Sequence, residues 1–390
     1  VMRSAWVGKL LLVLVVIGVL QAVLWRIGFL VDERRGRQVE AVQSVQQSLA
    51  SSQTVAGPLL QRRCTEEWTQ SVGTGQDRHD EPARRDFVLV ATAQDLVVDG
   101  VTQSDTRHRG LFKVNGYNAQ LSLEAHWASL DALRPRREVK GSRLQCQPVT
   151  VVVAISDVRG VREAQLQING APVAVRPGSQ HAVYTSGLHA LLDEALVPVA
   201  PGPLDAHENS KADERAPATA ALALKLKLGL AGTAGLAVVP AAEQSQWRLR
   251  SDWPPPSFGG RFLPTTREIT PQGFTAQWSL SALATSAPEG MRQGAPLCLP
   301  DLARTYGGPE SVVSGGPANC LDTLGVAFFD PINPYMLTDR AIKYGLLFIV
   351  LTFVAVGLAE LLARDRVRRV HPVPGRAAGT GSAPCGPLEH

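Results

Sequence analysis

The stretch LALKLKLGL, Leu222 to Leu230, decides the fold class of this 390-residue chain. Its leucines alternate with other residues almost strictly, so that Lys225 and Lys227 share the solvent face of a strand. Similar alternation recurs in three longer stretches: DFVLVATAQDLVVDG (86–100), GLFKVNGYNAQLSLEAHW (110–127) and GFTAQWSLSAL (273–283). Regularly spaced strands without strong helical patterns between them predict a mostly antiparallel β region.

Shorter signals extend this β region. VVVAIS (151–156) has the composition of a buried strand. In QLQINGAPVAV (165–175), Asn169-Gly170 lies between two alternating runs, which predicts a short hairpin. Two stretches interrupt the pattern: a polar one over 201–220, which we interpret as an internal linker, and a Gly- and Pro-rich one over 287–318.

An apolar segment near the N-terminus is typical of a transmembrane helix, which we place at residues 5–30. Its uncharged centre, Leu10 to Trp25, is shorter than the ~20 residues that cross a bilayer. Lys9 and Arg26 flank this centre and can extend the span by reaching the two interfaces. A cleaved signal peptide is the alternative, but no Ala-x-Ala-like site follows, and the apolar stretch exceeds the usual ~7–15 residues. The sequence therefore favours an uncleaved anchor.

A second transmembrane helix is predicted over residues 343–363. Four arginines follow it, at positions 364, 366, 368 and 369, whereas Arg340 and Lys343 precede its apolar core. Basic residues favour the cytoplasmic side, which predicts a cytoplasmic C-terminus. Three arginines also follow the first helix, but long loops translocate largely regardless of charge, so the second helix decides the orientation. The aromatic side chains expected at the membrane surfaces are Trp6, Trp25, Tyr335 and Tyr344.

These signals together predict a membrane-anchored, mainly β protein (α+β overall). Between the first helix and the β region, Val39, Val42, Val45 and Leu49 recur at helical spacing, which predicts a stalk that ends by Gly57-Pro58. The predicted parts are a cytoplasmic N-terminus (1–4), transmembrane helix 1 (5–30), the helical stalk (31–56), a periplasmic, mostly antiparallel β region (57–342), transmembrane helix 2 (343–363) and a basic, then disordered cytoplasmic tail (364–390).

The cysteine positions agree with an exported middle region. Cys64, Cys146, Cys298 and Cys320 lie in that region, and Cys385 lies in the tail. Export permits disulfides, although buried free thiols are the alternative. We predict a Cys298–Cys320 bridge, because the loop between these cysteines is short and poor in regular structure. The sequence has neither a CxxC motif nor a Cys/His cluster, so no metal or other cofactor is predicted.

One aromatic loop is a candidate ligand site. SDWPPPSFGG (251–260) carries Trp253, Pro254 and Phe258, and its prolines would stiffen the presentation of the rings. The alternative is a turn whose aromatic side chains cap the β core.

Charged motifs also have two interpretations. Asp157 and Arg159 in SDVRG form either a charged site or a pair that locks the end of a strand. His189 in GLHA is a candidate base, and a structural histidine is the alternative. Glu360 in the second helix either marks an ion path or pairs with Arg364 at the membrane edge.

Several functional classes are disfavoured. The net charge is +4 and the basic residues are scattered or lie beside the membrane segments, so no nucleic-acid binding is predicted. The sequence contains no SxxK, GxSxG, HExxH or GxxxxGK[ST] motif. A penicillin-processing enzyme is therefore not predicted.

An ordered set of stretches between residues 30 and 373 resembles one family. The stretches are VDERRGRQVEAVQ, QTVAGPLL, HRGLFKVNGYNAQL, ISDVRGVREAQLQING, SGLHALL, SDWPPPSFGGRFLP, GFTAQWSLSALA and GVAFFDPINPYMLTDRAIKYGLLFIVLTF. Together they resemble the CreD family of bacterial inner-membrane proteins, also called cell envelope integrity proteins. The resemblance implies an envelope protein tied to envelope stress, β-lactam response and colicin tolerance, and it brings no catalytic residues.

The chain departs from that family pattern at two places. Pro255 stands where the family more often has His. After His371-Pro372-Val373 the family continues into further membrane helices, whereas residues 374–390 are rich in Gly and Pro and cannot span a bilayer. We expect a lost reading frame or truncation here, with runs of ~20 apolar residues encoded downstream in another frame.

The predicted function is that of a non-enzymatic inner-membrane protein, N-terminus and C-terminus inside, whose periplasmic β region binds or braces an envelope component. The expected partners are the lipid bilayer and an unidentified envelope protein or polymer; the sequence does not define the oligomeric state. One alternative is a hydrolase of envelope polymers, with polar groups converging around His189, Asp157 or Asp252. Another is a membrane-bound envelope stress sensor.

Overall fold

The structure is a computed structural model that describes residues 2–73, 77, 79–110, 112–193, 195–197, 204–205, 221–254, 256–297, 320–328 and 334–370. The chain divides into two units, residues 1–35 with 332–390 and residues 36–331. We call the first the helical unit and the second the β unit. Most of the linker predicted over 201–220, and all of residues 371–390, lie outside the described residues.

Two long helices supply the helical unit: α1 (Met2–Ser48), whose last residues belong to the β unit, and α3 (Pro334–Val370). The stretches Leu11–Ser48 and Arg340–Ala363 have the length and apolar composition needed to cross a membrane. Their large apolar side chains are exposed, as Leu12 and Phe348 show at 67% and 65%. Large exposed apolar surface marks a membrane or protein interaction site, which agrees with the predicted membrane helices.

The helices of this unit approach each other closely at a glycine. A Cβ atom placed on Gly345 of α3 would lie 2.7 Å from Leu24 Cδ1 of α1. Small residues at such points allow membrane helices to pack tightly.

The end of the stalk differs from the prediction. Helix α1 ends at Ser48, and an extended strand begins at Gln53, before the predicted boundary at residue 56. The segment pairs with β13 from Gln53 and with β6 from Val55, so sheet hydrogen bonds replace helical ones. Gly57-Pro58 lies inside this strand, at a register shift between Ala56 and Leu59, and Gly57 has φ +101°. The Gly-Pro pair therefore marks a β-bulge and not a helix end.

The β unit contains eighteen described strands and one short helix. In chain order the strands are β1 (Gln53–Val72), β2 (His79–Arg109), β3 (Phe112–Trp127), β4 (Arg136–Arg137), β5 (Arg143–Cys146), β6 (Thr150–Ile155), β7 (Val161–Ile168), β8 (Ala171–Val173), β9 (Arg176–Pro177), β10 (Gly187–Leu191), β11 (Leu204–Asp205), β12 (Leu222–Thr233), β13 (Gly235–Val238), β14 (Ala242–Ser251), β15 (Pro256–Gly260), β16 (Thr266–Thr270), β17 (Gly273–Ser281) and β18 (Leu324–Phe328). Helix α2 (Ala287–Gln293) lies in the stretch predicted to be irregular.

Strand β2 connects two layers of strands. Its first part pairs with β1, and its second part pairs with β3 and β14. The first layer runs β15-β18-β13-β1-β6-β10-β9, with β5 beside the far part of β1. The second runs β8-β7-β12-β3-β2-β14-β17-β16. Most pairs are antiparallel, which confirms the predicted fold class.

One hydrophobic core lies between the layers. Tyr117 of β3 contacts Phe328 of β18 with ring centroids 4.9 Å apart, and both rings are almost fully buried. Trp247 and Trp278 stack at 4.4 Å in the second layer. The contact of Tyr117 with Phe328 joins the second layer to the first, so the two layers share one core.

Local predictions for the β unit are confirmed. Asn169 and Gly170 connect β7 to β8 with φ values of 49° and 83°, the positive pair that a type I′ hairpin requires. The leucines of β12 are buried, and Lys225 and Lys227 are exposed.

The described disulfide joins Cys64 of β1 to Cys146 of β5, which face each other in register. Cys320 also takes part in a disulfide. Cys298 lies outside the described residues, so the predicted Cys298–Cys320 bridge stays a prediction.

Candidate functional site

The first polar site lies inside the β unit, around the last turn of α1, and we call it the junction: Gln47, Ser51, Gln53, Asp157 and Arg159. Arg159 binds Asp157 through two hydrogen bonds, Nη2 to Oδ2 at 2.6 Å and Nε to Oδ1 at 2.9 Å. Its Nη1 donates to the carbonyl of Gln47 in the last turn of α1, at 2.6 Å. Asp157 also accepts from the Ser51 amide at 3.0 Å. Arg159 thus satisfies a carbonyl at the end of helix α1, and its partner Asp157 holds the chain segment that follows the helix.

A second set of contacts encloses the junction. The Gln53 side-chain amide donates to the carbonyls of Asp157 and Ala231, at 2.9 and 3.2 Å. Thr233 Oγ1 donates to the Ala50 carbonyl at 2.9 Å. A Cβ atom on Gly160 would overlap the Ala231 carbonyl oxygen and the Gln53 amide nitrogen. The close packing therefore requires glycine at position 160.

The junction is ionised at neutral pH. The hydrogen bond from Arg159 lowers the pKa of Asp157 to about 2, against the opposite effect of burial, and the Ser51 amide adds to the lowering. Asp157 has 10% of its side chain exposed and Arg159 has 52%. Of the two interpretations of SDVRG, the geometry favours a pair that locks local structure.

The second polar site is a groove of about 640 Å³ on the outward face of the second layer. We call it the groove. One row of residues crosses six strands in register, in the order Lys227, Ser122, Asp99, Arg248, Gln277 and Thr266. A neighbouring row contains Gln120, Val101, Arg250, Thr275 and Glu268. The two rows contain three cationic and two carboxylate side chains, hence a net positive charge.

The charges of the groove differ in their pairing. Arg248 Nε lies 2.9 Å from Asp99 Oδ1, so this pair is satisfied. Lys227, Arg250 and Arg267 are exposed, and none of them has an ion pair or side-chain hydrogen bond among the described residues. Lys225, on the same face of β12, is paired with Glu124 at 2.6 Å.

The aromatic loop lies largely within the core. Trp253 is 6% exposed, its ring meets Phe328 edge-on, and Lys113 Nζ lies 5.9 Å from the ring centroid. Phe258 is half-buried and packs edge-on against Phe274 and Trp278 at 5.5 and 5.7 Å. Pro254 is exposed. These contacts favour the core-capping interpretation over a ligand-facing loop.

The residues proposed for a hydrolase lie in separate hydrogen-bond groups. His189 is buried, with its Nδ1 2.5 Å from the Gly178 carbonyl and its Nε2 2.9 Å from the Gln180 side chain. Asp252 accepts from the Ser104 amide and hydroxyl at 2.8 and 2.9 Å. No described hydrogen bond joins His189 to Asp252 or to Asp157. The described residues also contain no cluster of metal-ligating side chains.

Sequence reasoning missed one buried carboxylate. Glu66 is fully buried, and its oxygens accept from Ser142 Oγ at 2.6 Å, the Val139 amide at 3.0 Å and Arg85 at 2.8 Å. Burial by itself raises a carboxyl pKa, but the Ser142 and Val139 hydrogen bonds and the charge of Arg85 hold the pKa of Glu66 below its ordinary value. These partners come from other segments of the chain, so the signal in the sequence was weak. It consists of two neighbouring carboxylates, Glu66 and Glu67, in a strand whose alternation turns one of them toward the interior.

The predicted membrane-surface residues are partly described. Trp25 is 70% exposed and Tyr344 is 59% exposed on their helices. The side chains of Trp6 and Tyr335 lie outside the description.

Comparison with known proteins gives a consistent result in sequence. A family model described as inner membrane protein CreD matches residues 5–374. The inner membrane protein CreD of Escherichia coli (strain K12) is 28% identical over 367 residues, which cover 94% of this chain and 69% of that protein.

Two solved structures resemble the chain distantly. An M1 zinc metallopeptidase from Deinococcus radiodurans has a TM-score of 0.23 at 12% identity, over 60% of this chain and 42% of its own. A candidate nutrient-binding protein from Legionella pneumophila has a TM-score of 0.24 at 8% identity, over 49% of this chain and 64% of its own. Scores this low carry no argument about function.

Proposed function

Because the chain belongs to the CreD family of inner membrane proteins, we propose that it anchors in the inner membrane and holds its β unit on the periplasmic side, where this unit binds or braces a component of the cell envelope. The distribution of basic residues supports this orientation, since four arginines follow the second membrane segment. The role is non-catalytic: the charged groups of the junction are occupied by structural partners.

The observation that carries the bracing role is the junction. A brace must stay attached to its anchor when force acts on the outer part. The contacts of Arg159 and Asp157 fix the last turn of α1 and the start of β1 to a segment more than 100 residues further along the chain. Charge-assisted hydrogen bonds of this kind are stronger than neutral ones. The end of α1 is therefore held by these hydrogen bonds in addition to its covalent connection to β1.

The test uses the full chain in bacteria that lack their own copy of the gene. Envelope integrity is measured as exclusion of a membrane-impermeant dye. We expect the native chain to restore exclusion and Arg159→Gln to restore it poorly at equal membrane levels. Arg162→Gln is the matched control, because Arg162 is exposed and lies three residues away. Full protection by Arg159→Gln would contradict the bracing role.

A reporter fusion tests the orientation separately. A reporter that is active only in the periplasm should be active when fused near residue 200 and silent when fused after Arg369. The reverse pattern would contradict the proposed topology.

A further inference from the structure

We infer that the groove is a binding site for an acidic glycan, and that this glycan is the envelope component of the proposed function, on which the inference rests. The groove has the length that such a ligand needs. The main row of the groove crosses six neighbouring strands in register. Strands lie about 4.8 Å apart, so the row spans roughly 24 Å, long enough for several sugar units.

The charge of the groove selects an anionic ligand. Lys227 and Arg250 lie in its two rows without an ion pair among the described residues, while Arg248 is held by Asp99. Cations that lack protein partners and point into one concave surface attract carboxylate or phosphate groups.

The neutral groups of the groove suit a sugar. Between the cations lie the amides of Gln120 and Gln277 and the hydroxyls of Ser122, Thr266 and Thr275. Each of these groups can both donate and accept hydrogen bonds, as sugar hydroxyls do. Among the described residues the lining contains no aromatic side chain on which nucleic-acid bases could stack.

The backbone of the groove disfavours an acidic peptide. A bound peptide strand gains most of its affinity by pairing with the free edge of a sheet. Here β2, β3, β14 and β17 each have strand partners on both sides, so along them the face presents side chains and not backbone groups; in the described pairings only β16, at one end of the groove, has a free edge. Hydroxyl and amide side chains hydrogen-bond to hydroxyl groups, and cationic side chains pair with carboxylates. An acidic glycan carries both of these groups.

The test measures binding of oligogalacturonate to the purified full chain in detergent by calorimetry. The comparison ligands are a neutral maltooligosaccharide of equal length and poly-glutamate of equal charge. We expect oligogalacturonate to bind most tightly and its affinity to fall with salt. Arg250→Gln and Lys227→Gln should each weaken binding about threefold, the effect of one exposed ion pair.

Lys225→Gln is the matched control, because Lys225 shares the face of β12 but pairs with Glu124. It should leave affinity unchanged, and thermal unfolding should show that all three variants fold. Equal binding of poly-glutamate or maltooligosaccharide would overturn the acidic-glycan assignment, and so would the absence of binding.

Failure here is distinguishable from failure of the proposed function. A chain that restores dye exclusion but binds no oligogalacturonate overturns the groove inference alone. Arg159→Gln should bind oligogalacturonate normally, because the junction contributes no residue to the groove.

Discussion

The junction and the groove are both built from charged side chains on the β unit, but they differ in what those side chains contact. At the junction each oxygen of Asp157 has protein donors, and Arg159 reaches a helix carbonyl as well. In the groove, Arg250 and Lys227 face solvent with no ion pair in the described part of the chain. Satisfied charges hold a fold together, whereas unsatisfied exposed charges cost little to keep and are ready for a ligand.

The largest effect should come from Glu66, a fully buried carboxylate of the β unit. Glu66→Ala removes the acceptor of Ser142, Val139 and Arg85; Arg85 keeps its ion pair with Glu138, but the Ser142 hydroxyl and the Val139 amide lose their acceptor. Because each buried donor left without an acceptor costs roughly 1–3 kcal/mol, we expect a loss of about 4 kcal/mol in the free energy of unfolding. A urea titration of the full chain in detergent, followed by tryptophan fluorescence, measures it.

Glu67→Ala is the control for this substitution, because Glu67 is the exposed neighbour on the same strand. It should change the free energy of unfolding by less than about 0.5 kcal/mol. Equal effects at the two positions would contradict the link between satisfied charge and stability.

The next largest effect is steric. Gly160→Ala places a methyl group against the Ala231 carbonyl, a backbone group that cannot rotate away. We expect a loss of about 3 kcal/mol. Gly36→Ala is the control, because nothing lies within 4 Å of its added Cβ on α1, and alanine should stabilise the helix slightly. Native-like stability of Gly160→Ala would mean that the junction is loosely packed.

A smaller effect is expected from Asp157, and it depends on pH. The folded-state pKa of about 2 lies below the unfolded value, so its ionisation stabilises the fold above about pH 4. That contribution is lost as pH falls through about 2. Asp157→Asn should cost about 2 kcal/mol at pH 7 and much less at pH 2. Urea titrations of both chains at the two pH values measure the difference, and a constant difference would contradict the ionised junction.

The two regions also differ in how far the sequence predicts them. Alternation in β12 predicts that Lys225 and Lys227 share a face, because strand periodicity is local. The groove itself depends on the registers of six strands, in the sheet order β12-β3-β2-β14-β17-β16. Register between distant segments has no local signature in the sequence. For the same reason the sequence could not identify Arg85 and Ser142 as partners of Glu66. At the junction the Asp157–Arg159 pair was visible because its residues are two apart, while Gln47 and Ser51 were not.

The smallest stability effect should come from Arg250, and it is the sharpest test of the comparison. Arg250 is exposed, lacks an ion pair in the described part of the chain and lies among other cations of the groove. Arg250→Gln removes like-charge repulsion and leaves no buried group without a partner, so the free energy of unfolding should change by less than about 0.5 kcal/mol. The same urea titration, run beside Asp157→Asn, measures it. A loss above about 1 kcal/mol would mean that Arg250 holds the fold as the junction does. An unchanged fold with weakened oligogalacturonate binding would instead separate the two regions by function, because the same type of side chain would then stabilise one site and bind a ligand at the other.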